Sequence, residues 1–412
     1  MPSRPVPYRA IVWLLAASIF INYLDRTNLS IAAPLLRAEL HLSGAQYGLI
    51  ASAFFWTYAF CQLFSGALAD RLDVKWVLAG GLAIWSIATG LTGVIHGFGA
   101  LLVVRLVLGA GESVAYPSYS RILVEHFPEE RRGVPNAAIS AGFSLGLSFG
   151  MLFGGMLVAR TGWRPFFIGL GLLSILWLIP WLLVMPRTEH RIESRAAGSP
   201  AFWQIAGQRH FIGTAVGLFG ANYFSYTLVA WLPTYLVEER HFSMDQMAFT
   251  GGAIYIVMAV ASVAFARLAD GRIKAGLSSP GIRRTISAAG LAICAVSVLI
   301  AGLSADAALT VVFLICGGFG FGVFSSSHWA ATQTLAGPLA SGRWTGMENF
   351  CGNLAGTIAP TMMGLVLDRT GHYYLAFIVT AVVTTVGAAA WLFVVRDVRP
   401  VDWTRPAVPA LR

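Results

Sequence analysis

The sequence predicts an all-α membrane protein: twelve transmembrane helices arranged as two pseudo-symmetric six-helix bundles. Three observations carry this. The chain is 57% hydrophobic and 11% charged, with a mean hydropathy of +0.69, outside the range of a soluble domain. A window of about 20 mostly apolar residues, the length needed to cross a bilayer, fits it twelve times. Short motifs of the first half also recur in the second at matching places.

The predicted spans are 11–33, 46–68, 76–95, 99–117, 134–158, 164–185, 210–236, 246–266, 284–303, 308–334, 342–366 and 373–395. The 44 glycines favour helices over a barrel, since small residues let spans approach closely and the apolar runs show no two-residue alternation. Residues 1–10 read as a cytoplasmic tail, 11–185 as the first bundle, 186–209 as a polar cytoplasmic linker, 210–395 as the second bundle and 396–412 as a cytoplasmic tail. The first span carries Asp25 and Arg26 and lacks a small-residue cleavage site, so it is not expected to be a cleaved signal.

With the amino terminus placed in the cytoplasm, 21 Lys and Arg fall on that side, 5 on the other, and Arg26 and Arg105 inside spans. The positive-inside rule then fixes both termini in the cytoplasm, expected to border a bacterial-type inner membrane. The net charge of +9 is accounted for by this asymmetry and does not point to nucleic acid. Cys61, Cys294, Cys316 and Cys351 all lie in spans without metal-ligand spacing and read as small packing residues.

The first span holds Asn22-Tyr23-Leu24-Asp25-Arg26, an acid beside a base at mid-span. Each charge costs about 2.5–3.5 kcal/mol in hydrocarbon, so such residues mark a functional site before they mark packing. The second span carries Tyr58 and closes on Gly66-Ala67-Leu68-Ala69-Asp70-Arg71, where Asp70 reads as a latch between helices. The fourth span holds Arg105 and Glu112, seven residues apart and so on one helix face. Spans one and four run antiparallel, and depth permits Asp25 to pair with Arg105 and Arg26 with Glu112, while the sequence leaves the azimuth open. The fifth span repeats glycine at 142, 146, 150 and 154, a ladder for close packing.

Asn22-Tyr23 recurs as Asn222-Tyr223 and Ala69-Asp70 as Ala269-Asp270, both 200 residues on; Arg160-Thr161-Gly162 recurs as Arg369-Thr370-Gly371, 209 residues on. Parallel six-span repeats are a transporter architecture. Ser225 and Tyr226 stand where the first half has Asp25 and Arg26, so the charge pairs belong to one half. The second half offers polar and aromatic groups instead: Tyr226, Ser326, His328, Trp329, Glu348 and Asn349. His328 reads either as a neutral imidazole in the core or as a substrate contact.

These residues resemble the major facilitator superfamily, on the Gly66-to-Lys75 motif, on Arg105 with Gly109 and Gly111, and on the degenerate copy at Asp270. Asp73 and Val74 stand where that motif has Gly and a basic residue. Within it the chain resembles the anion:cation symporters, sugar-acid and organic-anion permeases, on Asn22 to Arg26, Arg105 with Glu112, Phe127 to Gly133, and Gly162-Trp163-Arg164-Pro165-Phe166. The resemblance implies a secondary active transporter taking up an organic anion, foremost a sugar acid, with protons by alternating access. Asp25 and Glu112 would be proton-coupling sites. Arg26 and Arg105 would be their charge-switch partners and hold the substrate carboxylate. Tyr23, Tyr58, Ser326, Trp329 and Asn349 would line the substrate cavity, and Gly66, Asp70, Arg71 and Asp270 would serve gating. Tyr226 and His328 join the substrate-binding candidates from the residues themselves, His328 being unexpected in the family's galactonate-type members.

The alternatives are a sodium-coupled or uncoupled organic-anion carrier or exchanger, an aromatic-acid permease of the phthalate or hydroxyphenylacetate kind, and an exporter. No nucleophile, base and orienting group share a recognisable spacing, so an enzyme is not expected. Neither is a metal or cofactor beyond the coupling proton. The partners expected are the organic anion and the lipid bilayer, with the chain acting as a monomer.

Overall fold

The computed structural model describes residues 8–126, 133–186, 200–275 and 279–403. The first half holds α1 (Tyr8–Glu39), α2 (Gly44–Arg71), α3 (Val74–Thr92), α4 (Phe98–Glu112), α5 (Ala115–His126), α6 (Gly133–Phe149), α7 (Gly155–Thr161), α8 (Trp163–Leu176) and α9 (Leu178–Val184). After the short α10 (Phe202–Ala206) come α11 (Arg209–Thr234), α12 (Met244–Lys274), α13 (Ser279–Leu303), α14 (Ala307–Thr370) and α15 (Tyr373–Ala389). Single π-helical turns fill Gly150–Gly154, Tyr235–Glu239 and Ala390–Val395. Each of the twelve predicted spans falls on helix, and among the described residues nine helices are long and apolar enough to cross a membrane.

Three of the predicted spans differ from a simple rod for local reasons. The fourth breaks between α4 and α5 at Ser113, whose hydroxyl takes the Ala110 carbonyl at 2.8 Å and meets Ser65 Oγ at 2.9 Å. A serine that bonds its own helix backbone competes with the ladder and bends it. Glu112 thereby sits at the last position of α4. Spans ten and eleven run on as one 64-residue helix broken at Gly337, where φ is 63° and ψ 177°.

That break also receives residues 396–403, the start of the tail expected from 396 onward. A broken helix leaves carbonyls without intrahelical donors. Val401 N–H donates to the Leu335 carbonyl and the Trp403 indole N–H to that of Ala336, both at 2.9 Å, with Val398 buried beside them. The expected amino-terminal tail up to residue 7, most of the linker (187–199) and the end of the chain from 404 lie outside the described residues.

The chain forms two compact units. The first comprises Met1–Glu193 and Val229–Gly252, the second Ser194–Leu228 and Ala253–Arg412. One cut falls in the expected linker, and Val229–Gly252 joins the first unit because residues around the seventh-span end are held there. Tyr47 donates to the Ala230 carbonyl at 2.7 Å and meets the Trp231 ring edge-on at 4.8 Å. Arg37 Nη1 donates to both Glu238 carboxylate oxygens at 2.9 and 2.7 Å, and its guanidinium lies 5.5 Å above Trp231.

Inside the first unit the glycine ladder of α6 lies on α1. A Cβ at Gly142 or Gly146 would fall 2.5 Å from the carbonyl oxygen of Ala16 or Phe20, so only a hydrogen fits there. Asp73, the departure from the superfamily motif, is the N-cap of α3 and accepts from Lys75 N–H at 3.0 Å. The buried Lys75 ammonium donates to the carbonyls of Leu182 and Met185 at the end of α9, at 2.8 and 2.6 Å.

The repeat is legible in the backbone as well. Gly162 and Gly371 both close a helix with φ of 81° and 71°, and the threonine before each donates to a carbonyl four residues back, at 2.9 and 2.7 Å. His41 and His241 both sit in the left-handed region, at φ 51° and 57°. Two residues later Ser43 and Ser243 exchange hydrogen bonds with Gln46 and Gln246, each Gln N–H donating at 3.2 Å and accepting from the serine N–H at 3.0 and 2.9 Å. These are capping boxes in register at an offset of 200. The second unit is built around Phe211, Leu291, Phe324, Trp344 and Trp391, from α11, α13, both limbs of α14 and the turn after α15.

Candidate functional site

α1 and α4 place all four intramembrane charges of the first half in the first unit, and each is buried. Arg26 Nη2 lies 3.3 Å from Glu112 Oε2, with side-chain exposures of 7% and 0%. The depth argument therefore holds for this pair. It does not hold for the other: among the described residues no ion pair joins Asp25 to Arg105. Asp25 instead accepts from Asn28 Nδ2 at 3.0 Å, one helical turn on in α1, and its second oxygen is buried without a hydrogen bond. Asn28 is three residues from Asp25 on the same helix face, a signal present in the sequence and overlooked there.

Arg26 is enclosed by aromatic rings. Its guanidinium carbon lies 4.5 Å from the Tyr58 ring centroid, 4.8 Å from Phe54, 5.0 Å from Tyr23 and 6.0 Å from Phe55. Ring faces carry partial negative charge and hold a desolvated cation that water no longer reaches. Tyr58 accepts from Gln62 Nε2 at 3.1 Å, while Tyr23 packs edge-on against Phe143 at 4.2 Å and accepts from the Tyr116 hydroxyl at 3.2 Å. Phe54, Phe55 and Tyr116 were not singled out by the sequence, because aromatic residues in apolar spans read first as packing.

Arg105 is 6% exposed and lies 5.1 Å from the same Phe54 ring, so Phe54 is shared by the two guanidiniums. Among the described residues no carboxylate comes within ion-pair distance of Arg105, and its Nε has no hydrogen-bond partner. Gly109 lets α4 close on the Phe54 carbonyl of α2, and Thr57 Oγ1 donates to the Leu106 carbonyl at 2.6 Å. These contacts fix the height of Arg105 against Phe54. The first unit thus presents one arginine paired with a glutamate and a second arginine with fixed surroundings and, among the described residues, no carboxylate at ion-pair distance.

In the second unit the predicted residues divide into two groups. Tyr226 donates to Asn353 Oδ1 at 2.7 Å, and Ser326 donates to the Val323 carbonyl at 2.6 Å. Trp329 and Asn349 are half-buried. His328, by contrast, is sealed in the core at 0% exposure, 4.8 Å from the Phe324 ring and 5.8 Å from that of Trp391. Its Nε2 lies 3.5 Å from Glu348 Oε1. The side chains of Gly66, Asp70, Arg71 and Asp270, and the Phe127-to-Arg132 part of the loop motif, lie outside the described residues.

No cluster of His, Cys, Asp and Glu able to hold a metal occurs among the described residues.

The comparisons with known proteins agree on one family. The model described as Major Facilitator Superfamily matches residues 15–360. The "Probable sulfoacetate transporter" of Cupriavidus necator is 31% identical over 96% of this chain and 95% of its own. The "Hexuronate transporter" of Bacillus subtilis is 28% identical over 95% and 94%. A bacterial homologue of the human lysosomal transporter Spinster, solved in an inward-facing and occupied conformation, superposes with a TM-score of 0.81 at 18% identity, covering 95% of this chain and 98% of that one. With a family match that spans most of the chain, a fold shared along nearly its whole length and paired charges on the first and fourth spans, this protein belongs to the major facilitator superfamily.

Proposed function

We propose that the protein takes up an organic anion together with protons across a bacterial-type inner membrane, with both termini in the cytoplasm. The observation that carries this reading is Arg105: a buried guanidinium with no carboxylate at ion-pair distance among the described residues, beside a Glu112 already held by Arg26. Such a guanidinium is a two-point donor for a carboxylate or sulfonate. The relatives named for sulfoacetate, hexuronate and L-galactonate support an anion of this class, with sugar acids first.

The coupling follows from charge balance. Protonating Glu112 releases Arg26, which then also seeks an anion, and protonating Asp25 removes the remaining negative charge from the site. Substrate and proton therefore bind with positive coupling, and linkage makes that coupling reciprocal. Tyr23 and Tyr58, already against Arg26, would orient the bound anion, and Tyr226, Ser326, Trp329 and Asn349 would recognise its remaining groups. The family's alternating access supplies the transport step, and the lipid bilayer and the anion are the partners required. We assign no metal, cofactor or catalytic role.

The test is uptake into proteoliposomes of sulfoacetate, D-glucuronate, L-galactonate and D-glucarate, with and without an inward proton gradient, for wild type and Arg105→Ala. Gradient-dependent accumulation of at least one anion, lost in the variant, is expected. Accumulation indifferent to the proton gradient, or unchanged in Arg105→Ala, refutes the reading.

A further inference from the structure

The second unit contains a titratable pair that the first-unit mechanism does not use. His328 on the first limb of α14 and Glu348 on the second are each 0% exposed, and Nε2 lies 3.5 Å from Oε1. Thr332 donates to that same Oε1 at 3.4 Å, whereas Glu348 Oε2 and both imidazole nitrogens of His328 are buried with no hydrogen-bond partner. Phe324, Trp329 and Trp391 wall the imidazole.

Among the described residues the neighbours supply no countercharge. Thr214 of α11, with Thr332 and Trp344 of α14, faces Glu348, and Cys351 lies one turn on. From α13, Arg284 is engaged with the Arg396 carbonyl at 2.7 Å, and the turn after α15 offers only Trp391. Ions that leave water for such a core cost several kcal/mol each unless well paired and fully hydrogen-bonded. The orphaned Oε2 and Nδ1 mean that this pair is not fully hydrogen-bonded. The arrangement of lowest cost keeps one proton on the carboxyl and a neutral imidazole beside it.

We propose that Glu348 and His328 form a proton-binding site of the second unit, distinct from Asp25 and Glu112 and holding one exchangeable proton at neutral pH. Resting on the proton-coupled reading above, the site adds a proton to each transport cycle. Both members are one residue from recognition candidates, His328 beside Trp329 and Glu348 beside Asn349, on limbs separated by the break at Gly337. An anion that draws on Trp329 and Asn349 shifts the two limbs against each other and opens the pair to water. The carboxyl O–H bond then breaks, its proton passes to water, and another is taken up from the opposite side to restore the neutral pair.

Infrared difference spectroscopy on the full-length protein, wild type minus Glu348→Gln at neutral pH, is expected to show one protonated-carboxyl C=O band absent from the variant. Its absence from the difference overturns the site. In proteoliposomes with D-glucuronate or sulfoacetate, the proton-to-anion ratio read from the reversal potential is expected to fall by one in Glu348→Gln. An unchanged ratio overturns its exchange. If wild type couples no anion to protons, the proposed function fails while the infrared band still decides the proton site. Should Glu348→Gln fail to insert, His328→Gln carries the test: the acid band is expected to stay and shift in frequency, and a band unmoved by loss of the imidazole overturns the pairing.

Discussion

Replacing Glu112 with Gln, alone and combined with Arg26→Gln, separates the switch from mere packing. At 3.3 Å the pair gains about 5 kcal/mol of Coulomb energy at an effective dielectric of about 20, most of it offset by desolvation of two ions. Breaking a buried pair from one side costs about 3–5 kcal/mol, because the surviving ion loses its partner. The two sides are unequal here. With Glu112 gone, Arg26 keeps its aromatic enclosure, worth about 0.5–1 kcal/mol per well-placed ring, so Glu112→Gln belongs near the lower end, about 3 kcal/mol. With Arg26 gone, Glu112 keeps no hydrogen bond at either oxygen, and Arg26→Gln belongs near the upper end, about 5 kcal/mol. The double variant removes both ions and costs less than the sum, with a coupling of about 2 kcal/mol. Unfolding in mixed micelles measures all four proteins. In proteoliposomes Glu112→Gln is expected to retain anion exchange and lose accumulation driven by a proton gradient. A coupling within about 0.5 kcal/mol of zero, or gradient-driven uptake equal to wild type, refutes the pairing as a switch.

Other outcomes follow from single contacts. Arg105→Lys keeps the charge but not the planar fork, and substrate affinity measured by calorimetry is expected to fall by about 2 kcal/mol, roughly thirtyfold. Gly146→Val drives a side chain into the Phe20 carbonyl and is expected to lower stability by about 1–3 kcal/mol in thermal unfolding, whereas substitutions at Gly99, which no neighbour approaches, leave it unchanged. Lys75→Met preserves the aliphatic stem and loses two hydrogen bonds to the end of α9, an expected cost of about 2–3 kcal/mol in the same assay. Gly162→Ala and Gly371→Ala each force an alanine to positive φ, at about 1–2 kcal/mol, and the two losses are expected to add.

Much of the architecture was legible because hydrocarbon demands long apolar runs and punishes charge. That rule alone placed the twelve spans and drew attention to Asp25, Arg26, Arg105 and Glu112. Helix periodicity also gave depth, enough to match Arg26 with Glu112. It did not give the choice Asp25 makes between a distant arginine and an amide one turn away, because two partners at similar depth differ only in azimuth and distance. The aromatic enclosure of Arg26 was equally hidden, since Phe54 and Phe55 look the same in sequence whether they face lipid or a guanidinium. His328 and Glu348 could be named as titratable but not as neighbours. Their proximity depends on the turn at Gly337, where a glycine with positive φ folds the end of one span back beside the start of the next.

The twin corners at His41 to Gln46 and His241 to Gln246 are each specified by six consecutive residues, so the same His-x-Ser-x-x-Gln pattern builds the same joint in both halves without help from elsewhere in the chain. The charges have no such independence. Arg26 depends on another helix for its counter-ion, and the equivalent positions of the second half hold Ser225 and Tyr226. The two halves therefore share their joints and differ in their ionic chemistry.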